Sequence, residues 1–230
     1  SELLHSLRSK LFAGPGRGLD EGEQGDASEA TTEDTLDNVA RLESDNIRRS
    51  ADEIDREAFR RAALAVLRAD HVFTFGLGIS AHFAGLLAYL FGQIGIRATC
   101  VSTHLSSPLE ALVSLRPSDL LAAFSFPPYS SQTIDLLRRA AADGIPTLAV
   151  TDRVNAPAAL VARHAIPSRS ENLMFTNAFA AVSVLVNAFA IEVGLRSREE
   201  AGRAVASISR ILEDDPNVIG DRDPPPPKAG

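Results

Sequence analysis

Short apolar runs alternate with longer stretches in which apolar residues recur every three or four positions, and that alternation predicts an α/β fold. His71–Phe75, Arg97–Ser102, Asp119–Phe124, Pro146–Thr151 and His164–Pro167 read as strands. Ser80–Ile94, Pro108–Leu115, Ser130–Ala142 and Ala156–Ala162 read as the helices between them. Ser80–Ile94 is apolar nearly all round and is expected to be buried, with His82 as a hydrogen-bonded structural histidine. Gly144 sits just past a helix end, where a left-handed residue is favoured. Strands alternating with helices at this spacing imply βαβ units in a parallel sheet covered on both faces. Five strands in the order 2-1-3-4-5 are the natural arrangement.

Helices extend this body at both ends. One runs from near Glu33 past Arg49, with Leu36, Val39, Leu42 and Ile47 as its apolar positions, and another covers Arg56–Arg68. Leu173–Val193 and Arg198–Leu212 read as long helices after the last strand. The folded unit is therefore expected over residues 35–213. Outside it the pattern dissolves. Residues 13–34 are rich in Gly, Ser, Thr, Asp and Glu, with almost nothing apolar to bury, and read as a flexible acidic linker. Residues 214–230 contain Pro224–Pro227, which suits neither helix nor sheet, and read as a disordered tail. Residues 1–12 return to a helical stripe of Leu3, Leu4, Leu7 and Leu11, as expected of the remnant of a preceding helical domain. The first residue is Ser1 rather than Met, which suggests a processed or truncated product.

Composition narrows the function. The 230 residues are 45% hydrophobic and 23% charged, an ordinary balance for a globular domain. A formal net charge of −7 argues against this chain itself holding nucleic acid, which requires a basic face. Cys100 is the lone cysteine, so intramolecular disulfides and cysteine-based zinc sites are excluded, and a reducing cytoplasm is the expected location. No apolar run is long enough to span a membrane. The only lysines, Lys10 and Lys228, lie in the two ends, so Schiff-base chemistry has no candidate inside the folded body. No metal-spaced cluster of His, Asp and Glu stands out, and no cofactor is expected.

Candidate chemistry concentrates in two strand-to-helix loops. In doubly wound sheets ligands bind beyond the carboxyl ends of the strands, where strand order reverses, here between the first and third strands. After the first strand comes Gly76-Leu77-Gly78-Ile79-Ser80-Ala81. Gly76 and Gly78 allow close backbone approach, and Ser80 stands at a helix N-terminus that attracts anions. The same residues also read as a plain turn with Ser80 as its cap. The loop satisfies the loose dinucleotide fingerprint, but no acidic residue lies between Asp70 and Glu110 to hold ribose hydroxyls. NAD is thus disfavoured, and Arg97 leaves NADP open. After the third strand, Ser125, Ser130, Ser131 and Thr133 surround a second junction. Hydroxyls and helix amides together suit a phosphate monoester.

These two loops in tandem resemble the SIS (sugar isomerase) domain, a fold of phosphosugar isomerases and phosphosugar-binding regulators with a flavodoxin-like strand order. Ser125-Phe126-Pro127-Pro128-Tyr129-Ser130, with Thr133, is similar to the corresponding loop of RpiR-type transcription factors. Pro127-Pro128 stands where the isomerases usually carry Ser-Gly. Ala149-Val150-Thr151-Asp152, followed by Pro157, also resembles the family's segment after the fourth strand. The resemblance implies that Ser80, Ser125, Ser130 and Thr133 contact a phosphate, with Gly76, Gly78 and Ser131 in the same site. It further implies a homodimer or higher homo-oligomer, and DNA contact only through an N-terminal helix-turn-helix domain, of which residues 1–12 would be the last helix. An aldose–ketose phosphosugar isomerase is the alternative. Its base would be Glu171, placed after the last strand, or His104, placed after the second. Glu171 reads equally as a sugar-hydroxyl acceptor or as the cap of the helix expected from Leu173. Phe179, Val182, Val184, Leu185 and Val186 give the penultimate helix an apolar surface suited to a second subunit or to internal packing.

Overall fold

The structure, a computed structural model, describes residues 32–101, 108–172 and 177–215. Two helices lead in, α1 (Thr32–Glu53) and α2 (Arg56–Arg68), the latter capped by the Asp55 side chain on the amides of Glu57 and Ala58. Then follow β1 (Val72–Gly76), α3 (Ser80–Gln93), β2 (Ala98–Cys100), a 3-10 helix at Pro108–Ser114, β3 (Leu120–Ser125) and α4 (Ser131–Ala142). β4 (Thr147–Thr151), α5 (Pro157–Val161), β5 (His164–Pro167), α6 (Ala180–Arg196) and α7 (Arg198–Asp214) complete the described chain. The sheet is parallel throughout, in the order β2-β1-β3-β4-β5, as expected from the sequence.

Alternation along each strand divides the core in two. Leu120, Ala122 and Phe124 of β3 pack with α2, α3 and α6 on one face. Leu121 and Ala123 pack with Leu136, Leu137 and Ala140 of α4 and Ala158 of α5 on the other. β3 is buried at every position, which is why it reads as a continuous apolar run.

Three expectations need correction. His82 is exposed, because α3 turns Ala81, His82, Tyr89 and Gly92 away from the body. α6 begins at Ala180 rather than Leu173, since the Glu43 carboxylate accepts the amides of Phe179 and Ala180 and fixes the start there. Glu171 consequently does not cap that helix. Residues 1–31, His104, the segment 173–176 and the tail beyond Asp215 lie outside the described residues.

Candidate functional site

Strand order reverses at β1, which lies between β2 and β3. The register sets Gly76 beside Phe124, so the loops after β1 and β3 leave the same edge of the sheet side by side. Gly76 is forced by packing: a Cβ there would meet the carbonyl oxygen of Ser80 at 2.4 Å. Gly78 takes a positive φ of 58°, which L-residues with side chains rarely adopt. Thr74 Oγ1 donates to the Ala84 carbonyl at 2.8 Å and fastens α3 to β1.

Ser80 is the first residue of α3, buried, and makes no side-chain cap. The amides of Ser80, Ala81 and His82 donate to the carbonyls of Leu77, Gly78 and Ile79. That first turn satisfies its own amides, which leaves the Ser80 hydroxyl as the polar group it can offer an anion.

The second loop is more open to a ligand. Ser125 ends β3 and is buried, and its Oγ has no hydrogen-bond partner. A buried hydroxyl left unpaired costs about 1–3 kcal/mol, so this position is incomplete without a further group. Ser130 caps α4, its Oγ accepting from the Thr133 amide at 3.4 Å, which leaves its hydroxyl hydrogen to donate elsewhere. Thr133 is buried beneath it and Ser131 is exposed. The structure thus gathers Ser125, Ser130, Ser131 and Thr133 at one junction and sets the Gly76–Ser80 turn beside it.

A cavity of about 280 Å³ opens next to this junction, lined by Pro127, Asp152, Arg153, Arg169, Ser170, Glu171 and Asn177. Its walls are the loops after β3, β4 and β5. The Asn177 amide donates to the Pro127 carbonyl at 2.5 Å and its Oδ1 lies 3.2 Å from Ser170 Oγ, so the walls brace one another. Tyr129 donates its hydroxyl to Asp152 at 2.7 Å, while Thr151 Oγ1 bridges the Ser125 carbonyl and Asp152. Burial, and then the Asp152 carboxylate, push the Tyr129 phenol up to about 12, so it remains a donor at any physiological pH. The Arg153 guanidinium lies 5.8 Å from the centre of the Tyr129 ring.

Glu171, an expected acceptor for sugar hydroxyls, does line the cavity. Both of its carboxylate oxygens are engaged, one by Arg49 and one by Arg169, each at 3.2 Å. Glu110 is exposed. A larger cavity of about 510 Å³ lies at the opposite, amino-terminal end of the strands, among Arg61, Arg68, Asp119, Arg163 and His164. Ligands of doubly wound sheets sit at the other end, which makes the smaller cavity the candidate site. Among the described residues no cluster of His, Cys, Asp and Glu could hold a metal, and no single helix is long and apolar enough to cross a membrane.

Sequence reasoning missed Asp152, Arg153, Arg169, Ser170 and Asn177 as wall residues. Their signal was positional: each follows the carboxyl end of a strand.

Comparison with known proteins places this geometry. The sugar isomerase domain of an RpiR transcription factor from Sphaerobacter thermophilus is 29% identical, with a TM-score of 0.73 over 76% of this chain and 98% of that one. The Vibrio vulnificus NanR protein complexed with ManNAc-6P is 23% identical, with a TM-score of 0.69 over 79% of this chain and 70% of that one. A phosphoheptose isomerase from Francisella tularensis shares the fold at 13% identity and a TM-score of 0.57, over 72% of this chain and 99% of that one. No curated protein sequence matches at a significant level. The family model of the SIS domain matches residues 66–192, more than half of the chain and the whole sheet with both loops. With its sheet and both loops inside that match, the chain belongs to the SIS domain family.

Proposed function

We propose that this chain is the phosphosugar-binding effector domain of an RpiR-type transcriptional regulator of carbohydrate metabolism. The observation that carries the reading is the buried, unpartnered Ser125 hydroxyl at the switch point, beside Ser130 and Thr133. A phosphate oxygen supplies the missing partner. The phosphate is held by Ser80, Ser125, Ser130, Ser131 and Thr133, with Gly76 and Gly78 admitting it close to the backbone. The sugar extends into the neighbouring cavity, where Glu171 accepts its hydroxyls. Likeness to the RpiR sugar isomerase domain supports the regulatory role, and the NanR protein is a neighbour complexed with a sugar phosphate.

Sensing is favoured over turnover because Glu171, the candidate base among the described residues, is ion-paired with both Arg49 and Arg169 rather than presented alone to the cavity. The reading calls for no cofactor. Two copies pair through α6, which exposes Val184, Ile191 and Leu195. DNA is reached only through a preceding domain, and the cytoplasm is where such a regulator works.

A thermal-shift screen against sugar phosphates and their unphosphorylated parents tests this. Binding to the folded state alone adds about 2.7 kcal/mol at a hundredfold excess over the dissociation constant. A shift from a sugar phosphate but not from its parent sugar is the expected result. Isomerisation of that sugar phosphate, lost in Glu171→Gln, would overturn sensing in favour of an aldose–ketose isomerase.

A further inference from the structure

α1 meets the body through a mostly polar stripe, with Leu42 and Ile47 half-buried beside it. Residues 35–41 are exposed, and among the residues that follow, Asn46 and Ser50 are buried. Glu43, Asn46, Arg49, Ser50 and Glu53 recur at helical spacing along one side, and each bonds the same stretch of chain after β5. The Glu43 carboxylate accepts from the amides of Phe179 and Ala180 at 3.1 and 3.2 Å. Asn46 Nδ2 donates to the Glu171 carbonyl at 2.8 Å, and Ser50 Oγ accepts from the Arg169 amide at 2.8 Å. Arg49 pairs with Glu171 at 3.2 Å, and Arg169 pairs with Glu53 at 2.6 Å.

That stretch has two sides. Arg169, Ser170, Glu171 and Asn177 also form a wall of the candidate cavity. Arg169 and Glu171 therefore belong to the cavity and to the α1 clasp at once, and in this structure their charged groups are fully committed to the clasp and to each other. The seam itself is not saturated. Asn46 Oδ1 on α1 and Ser168 Oγ at the head of the stretch are both buried without a partner. The buried side chains of α1 are the polar Asn46 and Ser50, and a seam with an orphan acceptor and an orphan hydroxyl can exchange partners at small cost.

We propose that α1 reads the occupancy of the cavity: contacts that a bound sugar phosphate makes with Arg169 or Glu171 form at the expense of their bonds to α1, so binding loosens α1 from the β5–α6 stretch. The inference rests on the phosphosugar reading above. It makes α1, the helix by which residues 1–31 enter the domain, the route from the sugar site to whatever precedes it. Because coupling is reciprocal, weakening the clasp must strengthen sugar binding.

The test uses the full chain and a panel of glucose 6-phosphate, fructose 6-phosphate, N-acetylmannosamine 6-phosphate and arabinose 5-phosphate, taking forward the tightest binder. Hydrogen–deuterium exchange in residues 43–53 is expected to quicken on saturation, with residues 56–68 unchanged. Glu53→Gln is expected to tighten binding of the same probe by about two- to fivefold, the scale of coupling that one surface charge pair supports. Arg49→Gln, on the other arm of the clasp, is expected to act in the same direction and guards against a local folding defect in the first variant. A probe that binds while residues 43–53 exchange unchanged or more slowly, with affinity unaltered in both variants, overturns the inference and leaves the sensing reading intact. Failure of every sugar phosphate to bind overturns both.

Discussion

Arg169 grips Glu53 with two parallel hydrogen bonds, 2.8 Å from Nε and 2.6 Å from Nη2, across 116 positions of sequence. The hydrogen bond from Arg169, reinforced by its charge, holds the Glu53 carboxyl below its ordinary range, although burial opposes the shift. The Glu53 bond in turn raises the Arg169 guanidinium. Both side chains are partly open to solvent, 32% for Arg169 and 47% for Glu53, so screening limits the pair to about 1 kcal/mol even with two-pronged geometry. A double-mutant cycle over Arg169→Ala and Glu53→Ala in urea should return a coupling of that size. The depressed pKa fixes the sign with pH. The contribution is full above the carboxyl's unfolded value near 4.3 and is lost as pH falls through the lower folded value. The gap between wild type and Glu53→Gln should therefore close in acid, and a gap that widens there would contradict the pairing.

Gly76 answers to packing rather than to backbone freedom. Its Cβ position lies 2.4 Å from the Ser80 carbonyl oxygen and 2.9 Å from the Ala81 amide nitrogen, both backbone atoms of the first turn of α3. Neither can yield without lifting α3 from β1, where Thr74 and Ala84 are bonded. Gly76→Ala should lose about 3 kcal/mol, the upper end of overpacking costs, in a chemical denaturation curve. Gly78→Ala, with open space around its Cβ but a positive φ, should cost about 1 kcal/mol.

The sheet and both loops were legible because their signals are local. β3 is apolar throughout since it is buried on both faces, and Ser130 announces α4 as a cap does. The clasp was not legible. Leu36 and Val39 look like the buried side of α1, yet both are exposed, at 69% and 41%. The face that meets the body carries Glu43, Asn46, Ser50 and Glu53, whose partners follow β5 and cannot be found by periodicity. For the same reason the start of α6 was misplaced: its cap comes from Glu43, on another helix. Glu171 was correctly set at the carboxyl end of β5, but its commitment to Arg49 and Arg169 exists only in three dimensions.

His164 opens β5 at the far end of the sheet. Burial lowers its proton affinity, and the neighbouring charges of Arg163 and Arg61 lower it further. The unfolded chain therefore binds this proton more tightly than the folded one. Stability is full above the ordinary histidine value near 6.5 and is lost as pH falls through the lower folded value. Melting temperatures of wild type should fall between about pH 7 and pH 5, and His164→Gln should flatten that slope. An imidazole that titrates above 6.5 by NMR would contradict the assignment.

The exposed side of α6 presents Val184, Ile191 and Leu195 in one stripe, at 47%, 60% and 53% exposure. Pairing of two copies along this stripe predicts a dimer by light scattering. Ile191→Asp with Leu195→Arg should yield a folded monomer, since neither side chain belongs to the core. A dimer that survives this double change would move the interface elsewhere.

Ser125 separates function from stability. Its hydroxyl is buried without a partner, so the empty protein carries a desolvation cost that alanine would remove. Ser125→Ala deletes only that unpaired polar atom and leaves no cavity larger than it. The unliganded variant should be as stable as wild type or more so, by up to about 1 kcal/mol. Its affinity for a sugar phosphate should fall by about 1–3 kcal/mol, because the hydroxyl is then missing where the phosphate requires it. Calorimetric titration beside thermal melts of one preparation reads both quantities. Opposite changes in the two are the signature of a residue kept for its ligand. Loss of stability with unchanged affinity would make Ser125 a structural residue and take the phosphate away from this junction.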